Sequence, residues 1–72
     1  MTLADFNFFL DGPIEDSGFR TYRFPSGRGC DLLPTPNGWA LAHGDGTGQH
    51  GMTEVEVVEQ LARLAAAPAL AA

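Results

Sequence analysis

Several residues of this sequence are of types that bind phosphates in other folds. The segment 46–51 matches the pattern G-x-G-x-x-G and precedes a predicted helix, as the phosphate-binding turn of a dinucleotide-binding fold does. The residues after Gly51 are too few to supply both that helix and the second strand of a βαβ unit. Asp45, Glu54 and Glu56 surround the segment, and the chain has no lysine to offset them. The sequence therefore predicts a structural connector here and no nucleotide site.

One thiol and two imidazoles are the other reactive side chains. Cys30, His43 and His50, with Asp45 as a fourth ligand, offer atoms that zinc binds, but their spacing matches no zinc motif. A nucleophilic site would combine Cys30 with one of the histidines, and 72 residues leave little room for a substrate cleft. We therefore expect a small buried thiol, a strand-end histidine and a loop histidine. The prediction is a protein with no metal, no cofactor and no catalytic residue, and so not an enzyme.

The charge balance limits the class of partner. Nine acidic residues face four basic residues, all arginine, for a formal net charge of −5. This balance is unsuited to direct binding of a nucleic-acid backbone, and it favours a partner with a basic surface. The first residues lack the basic region of a signal peptide, and no apolar run is long enough to span a membrane. We expect a cytoplasmic protein without a membrane segment, in the host cytoplasm if a phage encodes it.

The length of 72 residues predicts one domain, 1–72. A domain of this size buries only about 60% of the surface that its unfolded chain exposes, so its stability is marginal. The single cysteine cannot form an intramolecular disulfide, and the usual covalent support of a small domain is missing. Association would bury additional surface, either with a partner protein or with a second copy, so a homodimer stays open.

Short elements would position these residues. Apolar alternation and aromatic enrichment, interrupted by proline and glycine turns, predict strands over 6–10, 19–24, 28–33 and 38–43. The glycine-rich segment 44–51 predicts a loop between the last strand and the helix.

The helix has complete start signals. Thr53 is the N-cap residue, and Glu56 three residues later completes a capping box. Apolar residues then recur at helical spacing until Pro68, which predicts a helix over 54–66 and a frayed tail over 68–72. The sequence thus predicts an α+β fold, a small antiparallel meander of three to four strands covered on one face by a single C-terminal α-helix.

Aromatic residues and charged residues outside this core are candidates for binding another protein. The aromatic side chains exceed what one short helix can cover, and aromatic residues and arginine are enriched at interface hot spots. Acidic residues on the helix would meet a basic partner. The predicted partner-binding residues are Arg20, Arg23, Arg28, Phe19, Phe9, Glu54, Glu56 and Glu59.

Together these observations predict a small, acidic, non-enzymatic protein-binding module. The narrower hypothesis is an inhibitor encoded by a phage or mobile element, of the anti-CRISPR or anti-restriction type, that occludes a larger protein or nucleoprotein. Size and net charge support it. The alternative is an accessory subunit or a homodimeric structural module of bacterial or phage origin.

Overall fold

A computed structural model describes residues 1–69. The elements follow one another as an N-terminal 3-10 helix (Leu3–Phe9), β1 (Arg20–Arg23), β2 (Gly29–Thr35), β3 (Gly38–His43), β4 (Gly48–Met52) and α1 (Glu54–Ala66). The four strands form one open antiparallel sheet in the order β1-β2-β3-β4, and α1 packs against it. The predicted α+β fold, a meander covered by a single C-terminal helix, is confirmed.

The core lies between one face of the sheet, which we call the covered face, and the two helices. Alternate strand residues point into it, and Tyr22, Leu32 and Leu41 are each at most 1% exposed. Val57 and Leu61 of α1 belong to the same buried cluster. Because fully burying a leucine contributes about 1.5–3 kcal/mol, this cluster is the main source of stability.

The start of α1 lies where the sequence predicts it. The Thr53 hydroxyl accepts a hydrogen bond from the Glu56 backbone N–H at 3.2 Å, and the Glu56 carboxylate accepts from the Thr53 N–H at 2.9 Å. These reciprocal bonds satisfy two backbone donors that the helix leaves free. Hydrogen bonding to the Thr53 backbone N–H, and to a smaller extent to the Thr53 side chain, lowers the pKa of the Glu56 carboxyl group. The bounds of α1 agree with the predicted helix 54–66.

The predicted strand 6–10 is wrong, because this region is mostly helical. Residues Leu3–Phe9 form a 3-10 helix, in which every third side chain lies on the same side. Leu3 and Phe6 are buried in the core, and Phe9 packs against its margin. The apolar residues Leu3, Phe6 and Phe9 recur at every third position, and in this region their packing decides the conformation. The short alternation over 6–10, which favours a strand, does not.

The residues after this helix close the outer edge of β1. Leu10 forms an isolated antiparallel bridge with Tyr22, and the Asp11 N–H donates to the Thr21 carbonyl at 2.8 Å. The Asp11 carboxylate also lies 3.4 Å from Nε of Arg23. One sheet edge is thus occupied by the protein's own chain.

The predicted loop 44–51 is wrong over its second half, because β4 begins within it. A tight hairpin joins β3 to β4, with the His43 N–H donating to the Thr47 carbonyl at 2.7 Å. The Asp45 carboxylate accepts from the Thr47 N–H at 2.9 Å and from its hydroxyl at 2.6 Å. Gly46 supplies the left-handed backbone conformation of the turn, with φ of 93°.

The glycine content of β4 explains why the sequence pattern predicts a loop there and not a strand. A Cβ atom at Gly48 would lie 3.0 Å from the Leu41 carbonyl oxygen, so β3 would have to move by a few tenths of an ångström to accept a side chain there. Glycine inside a strand can mark such a close approach of another backbone. The same composition that indicates a loop therefore suits this strand.

The remaining bounds shift by a few residues. β1 is shorter than the predicted strand 19–24, and β2 runs past the predicted end of 28–33 to Thr35. Pro34 is tolerated because β1 pairs with β2 only as far as Leu32, which leaves this end of β2 as an edge on that side. Strand 38–43 is confirmed.

Part of the predicted tail 68–72, residues 70–72, lies outside the described residues. Over residues 1–69, no helix combines the length and apolar character needed to cross a membrane.

Candidate protein-binding surface

The face of the sheet opposite α1 is left uncovered by the core, since no helix of residues 1–69 packs on it. We call it the open face. Directly opposed residues of an antiparallel pair share a face, so the strand register defines its members. They are Phe19, Thr21, Arg23, Asp31, Leu33, Ala40, Ala42, Gly48 and His50.

The centre of the open face is apolar and slightly concave. Leu33 lies opposite Ala40, and it is 38% exposed although it is a large hydrophobic residue. The small side chains of Ala40 and Ala42 leave a shallow depression of about 390 Å³ between Phe19 and His50. This depression can receive apolar side chains of a partner.

Polar residues border this centre. The Thr21 hydroxyl donates to the Asp31 carboxylate at 2.8 Å, across a directly opposed pair of β1 and β2. Arg23 lies further along β1 and is exposed, with its guanidinium beside Asp11. The open face therefore has an apolar centre and a polar border.

The structure brings two of the predicted partner-binding residues, Phe19 and Arg23, to the open face. Arg20 lies on the other side of the sheet, where its guanidinium carbon is 5.3 Å from the centre of the Trp39 ring. Its Nε also donates to the Gly18 carbonyl at 3.0 Å. Arg20 therefore makes intramolecular contacts that stabilise the margin of the covered face.

Phe9 is half-buried, and its ring centre lies 5.0 Å from that of Phe24, so it mainly extends the core. Its neighbour Phe8 is the exposed aromatic residue of this segment, at 86%. In a strand, Phe8 would face the core with Phe6, and Phe9 would point away from it. In the 3-10 helix, Phe9 packs against the core and Phe8 points to solvent.

Arg28 lies at the hairpin end of the sheet, away from the centre of the open face. Its guanidinium donates to the Pro68 carbonyl, and with His43 and Asp45 it lines a groove of about 450 Å³. This contact ties the β1–β2 hairpin to the segment that follows α1.

The three predicted acids, Glu54, Glu56 and Glu59, are exposed on α1. The Glu56 side chain belongs to the capping box, whereas the carboxylates of Glu54 and Glu59 make no hydrogen bond or ion pair within 1–69. The structure thus distributes the eight predicted residues over several surfaces, and a role in partner binding stays a prediction for each.

The reactive residues do not form one cluster. Cys30 and His43 are directly opposed in β2 and β3, whereas His50 belongs to the open face. Burial, with a smaller contribution from Asp31, raises the pKa of the Cys30 thiol to about 12. The thiolate, which is the nucleophilic and metal-binding form, is therefore scarce at neutral pH.

Burial also raises the pKa of the Tyr22 hydroxyl, although the nearby Arg20 opposes this shift. No group of three His, Cys, Asp or Glu residues within 1–69 is arranged to hold a metal ion. The expectation that the protein is not an enzyme and binds no cofactor stays a prediction.

The apolar centre of the open face is the part that the sequence pattern does not single out. Leu33 and Ala40 become neighbours because the two-residue turn Pro36-Asn37, which joins the opposed residues Thr35 and Gly38, sets the register of β2 against β3. The Asn37-Gly38 signal in the sequence marks this chain reversal, but taking these two residues as the centre of the turn would have placed Leu33 opposite Ala42, two residues from the observed partner.

Comparison of the chain with protein-family models, curated proteins and solved structures finds no match.

Proposed function

We propose that the protein is a non-enzymatic binding module that docks a second protein on the open face of its sheet. The observation that supports this is the apolar centre of that face, where Leu33 stands exposed beside Ala40 and Ala42. Thr21 and Asp31 border it with polar groups. An apolar centre with a polar border is the usual composition of a protein–protein interface.

Charge supports a partner with a basic surface. Every acidic residue except Asp31 is exposed, and the net charge is −5. Exposed charges of one sign attract a partner of the opposite sign and raise the rate of encounter. The net negative charge would attract the partner, while the apolar centre supplies the buried contact.

The narrower form of the proposal is an inhibitor from a phage or mobile element, of the anti-CRISPR or anti-restriction type, that occludes a larger basic protein or nucleoprotein. Its support is the small size and the net negative charge of the chain. The alternative is an accessory subunit or a homodimeric structural module. In that case the open face would meet another subunit or a second copy.

The proposal predicts that Leu33→Asp abolishes partner binding. The tagged protein is used to capture partners from an extract of its source cells, and direct binding of the purified partner is then titrated. A carboxylate at the centre of the interface would be buried without a counterion, so affinity should fall at least about tenfold. Hydrogen exchange of the complex should show protection on the open face.

Ile14→Asp is the matched control, because Ile14 is exposed to 41% but lies in the loop before β1. Its affinity should equal that of the native chain, and circular dichroism should show both variants folded. Equal loss of affinity in the two variants would contradict docking on the open face. A native dimer that Leu33→Asp converts to a monomer would favour the homodimer alternative.

A further inference from the structure

The outer edge of β4 is unpaired, since no other segment of residues 1–69 hydrogen-bonds along it. The Thr47 carbonyl points towards β3, because it accepts a hydrogen bond from the His43 N–H across the hairpin. Backbone groups alternate in direction along a strand, so the N–H and C=O groups of Gly48 and His50 point outward. The edge therefore presents two donors and two acceptors to an incoming chain.

The first part of this edge lacks side chains that would block pairing with another chain. Natural edge strands are protected by lysine, proline or an inward-pointing charge, and β4 has the sequence Gly-Gln-His-Gly-Met. Residues 48–51 are exposed, and Gly48 has no side chain to hinder an approaching backbone. The irregular pairing near Gly51 limits the accessible stretch to the first part of β4.

Acidic residues lie at both ends of this edge. Asp45 precedes β4 in the hairpin turn, and Glu54 and Glu56 follow it in the first turn of α1. Hydrogen bonds from Thr47 lower the pKa of Asp45, and those from Thr53 lower the pKa of Glu56. Both ends of the edge therefore stay negative well below neutral pH.

The charges at the two ends of the β4 edge indicate whether a second copy of the chain or a different protein would pair with it. Two copies related by a two-fold axis would pair β4 with β4 in antiparallel orientation. This would bring Asp45 of one copy towards Glu54 of the other at both ends of the pair. Repulsion between like charges, added to a net charge of −5 on each chain, disfavours that dimer.

We propose that an extended segment of a basic protein, with lysine or arginine flanking a short uncharged run, adds to the sheet as a fifth strand along β4. This inference rests on the proposed function, because the segment would belong to the protein that docks on the open face. Main-chain hydrogen bonds to Gly48 and His50 would supply affinity, and the flanking acids would select the basic segment. Every second side chain of the added strand would lie on the open face, next to His50.

The test uses the full chain labelled with ¹⁵N and the capped peptide Lys-Thr-Val-Thr-Val-Thr-Lys. Titration should shift the amide signals of β4, and the N–H groups of Gly48 and His50 should exchange more slowly in the complex. The same peptide with glutamate in place of lysine should bind at least about tenfold more weakly. No binding of the lysine peptide at millimolar concentration would overturn the proposal, as would shifts confined to other elements.

Variants of the chain then test the edge itself. His50→Pro removes an outward N–H without removing a bond to β3, and affinity for the lysine peptide should fall about tenfold. His50→Lys leaves the backbone unchanged and should weaken the same binding by repulsion, which covers the case in which the proline variant fails to fold. Glu54→Gln should weaken it about threefold, whereas Glu59→Gln on the same helix should not. Unchanged affinity in both His50 variants would overturn the proposal.

The outcome for the cellular partner separates this inference from the proposed function. If Leu33→Asp loses the partner and His50→Lys retains it at native affinity, docking on the open face stands and the added strand is wrong. If neither the native chain nor any variant captures a partner, the proposed function fails, and the peptide titration alone decides whether β4 binds a strand. A native dimer that His50→Pro dissolves would show that a second copy occupies the edge, against the proposal.

Discussion

The two faces of the sheet are built from the same strands but differ in what covers them. In β2, Leu32 is fully buried beneath the helices, whereas its neighbour Leu33 is 38% exposed on the open face. Alternation along a strand sends adjacent residues to opposite sides, so one strand serves two environments. The difference indicates that the covered face contributes most of the stability, and it is the open face that we propose for binding.

The two edges of the sheet differ in the same way. Leu10 and Asp11 occupy the outer side of β1, whereas the outer side of β4 has no partner within residues 1–69. Backbone hydrogen-bonding groups are thus satisfied at one edge and available at the other. Stability is concentrated near the N-terminal helix and α1, and the free surfaces meet at β4.

The largest expected effect is a difference in the free energy of unfolding between variants of Leu32 and Leu33. Leu32→Ala should lower the free energy of unfolding by about 3 kcal/mol, because it leaves a cavity in the core. Leu33→Ala should lower it by only about 1 kcal/mol, since the side chain is 38% exposed and its removal leaves no closed cavity. Urea denaturation followed by Trp39 fluorescence measures both. Similar losses in the two variants would show that the open face is part of the core.

The next effect is a pH dependence that comes from Cys30 on the covered face. Its pKa in the folded state, about 12, lies above its ordinary value of 9.0, so the folded state holds the proton more tightly. Its contribution to stability is therefore complete below pH 9 and is lost as the pH rises from 9 towards 12. At about pH 10.5 the loss should be about 2 kcal/mol.

Urea denaturation of the native chain and of Cys30→Ala across this pH range measures that loss. The variant should show a smaller decline, caused by Tyr22, whose pKa burial also raises. Parallel pH profiles for the two chains would contradict a buried, protonated thiol. A fast reaction of the folded chain with a thiol reagent at neutral pH would contradict it as well.

The smallest effect concerns Arg20, which contacts Trp39 at the margin of the covered face. Arg20→Gln should lower the free energy of unfolding by about 1 kcal/mol, because it removes both the contact with the ring and the bond to Gly18. The emission of Trp39 should change, while the affinity for the partner should not. A large loss of affinity with unchanged stability would instead make Arg20 part of the interface.

Local signals in the sequence were sufficient for some elements. The capping box of Thr53 and Glu56 predicted the start of α1, because it depends on residues only three positions apart. The turn before Trp39 likewise predicted the start of β3. Both signals are satisfied within a few residues, so tertiary contacts have little to change.

Other elements depended on distant contacts. The apolar residues of 6–9 alternate imperfectly, and this local pattern suggests a strand. The 3-10 helix is favoured instead because it packs Phe6 and Phe9 beneath the sheet. β4 contains two glycines and no β-branched residue, so it exists as a strand because β3 lies beside it. Its propensity alone indicates a loop.

The sequence by itself determined the α+β class, the capped C-terminal helix, the acidic charge and the residues able to carry charge or aromatic contacts. Only the tertiary structure decided which of those residues share a surface. It separated Arg20, Arg23 and Arg28, placed Leu33 beside Ala40, and left the outer edge of β4 unpaired within residues 1–69. The physical reason is that helix caps and turns are local, whereas a binding surface is set by strand register and by what the core leaves uncovered.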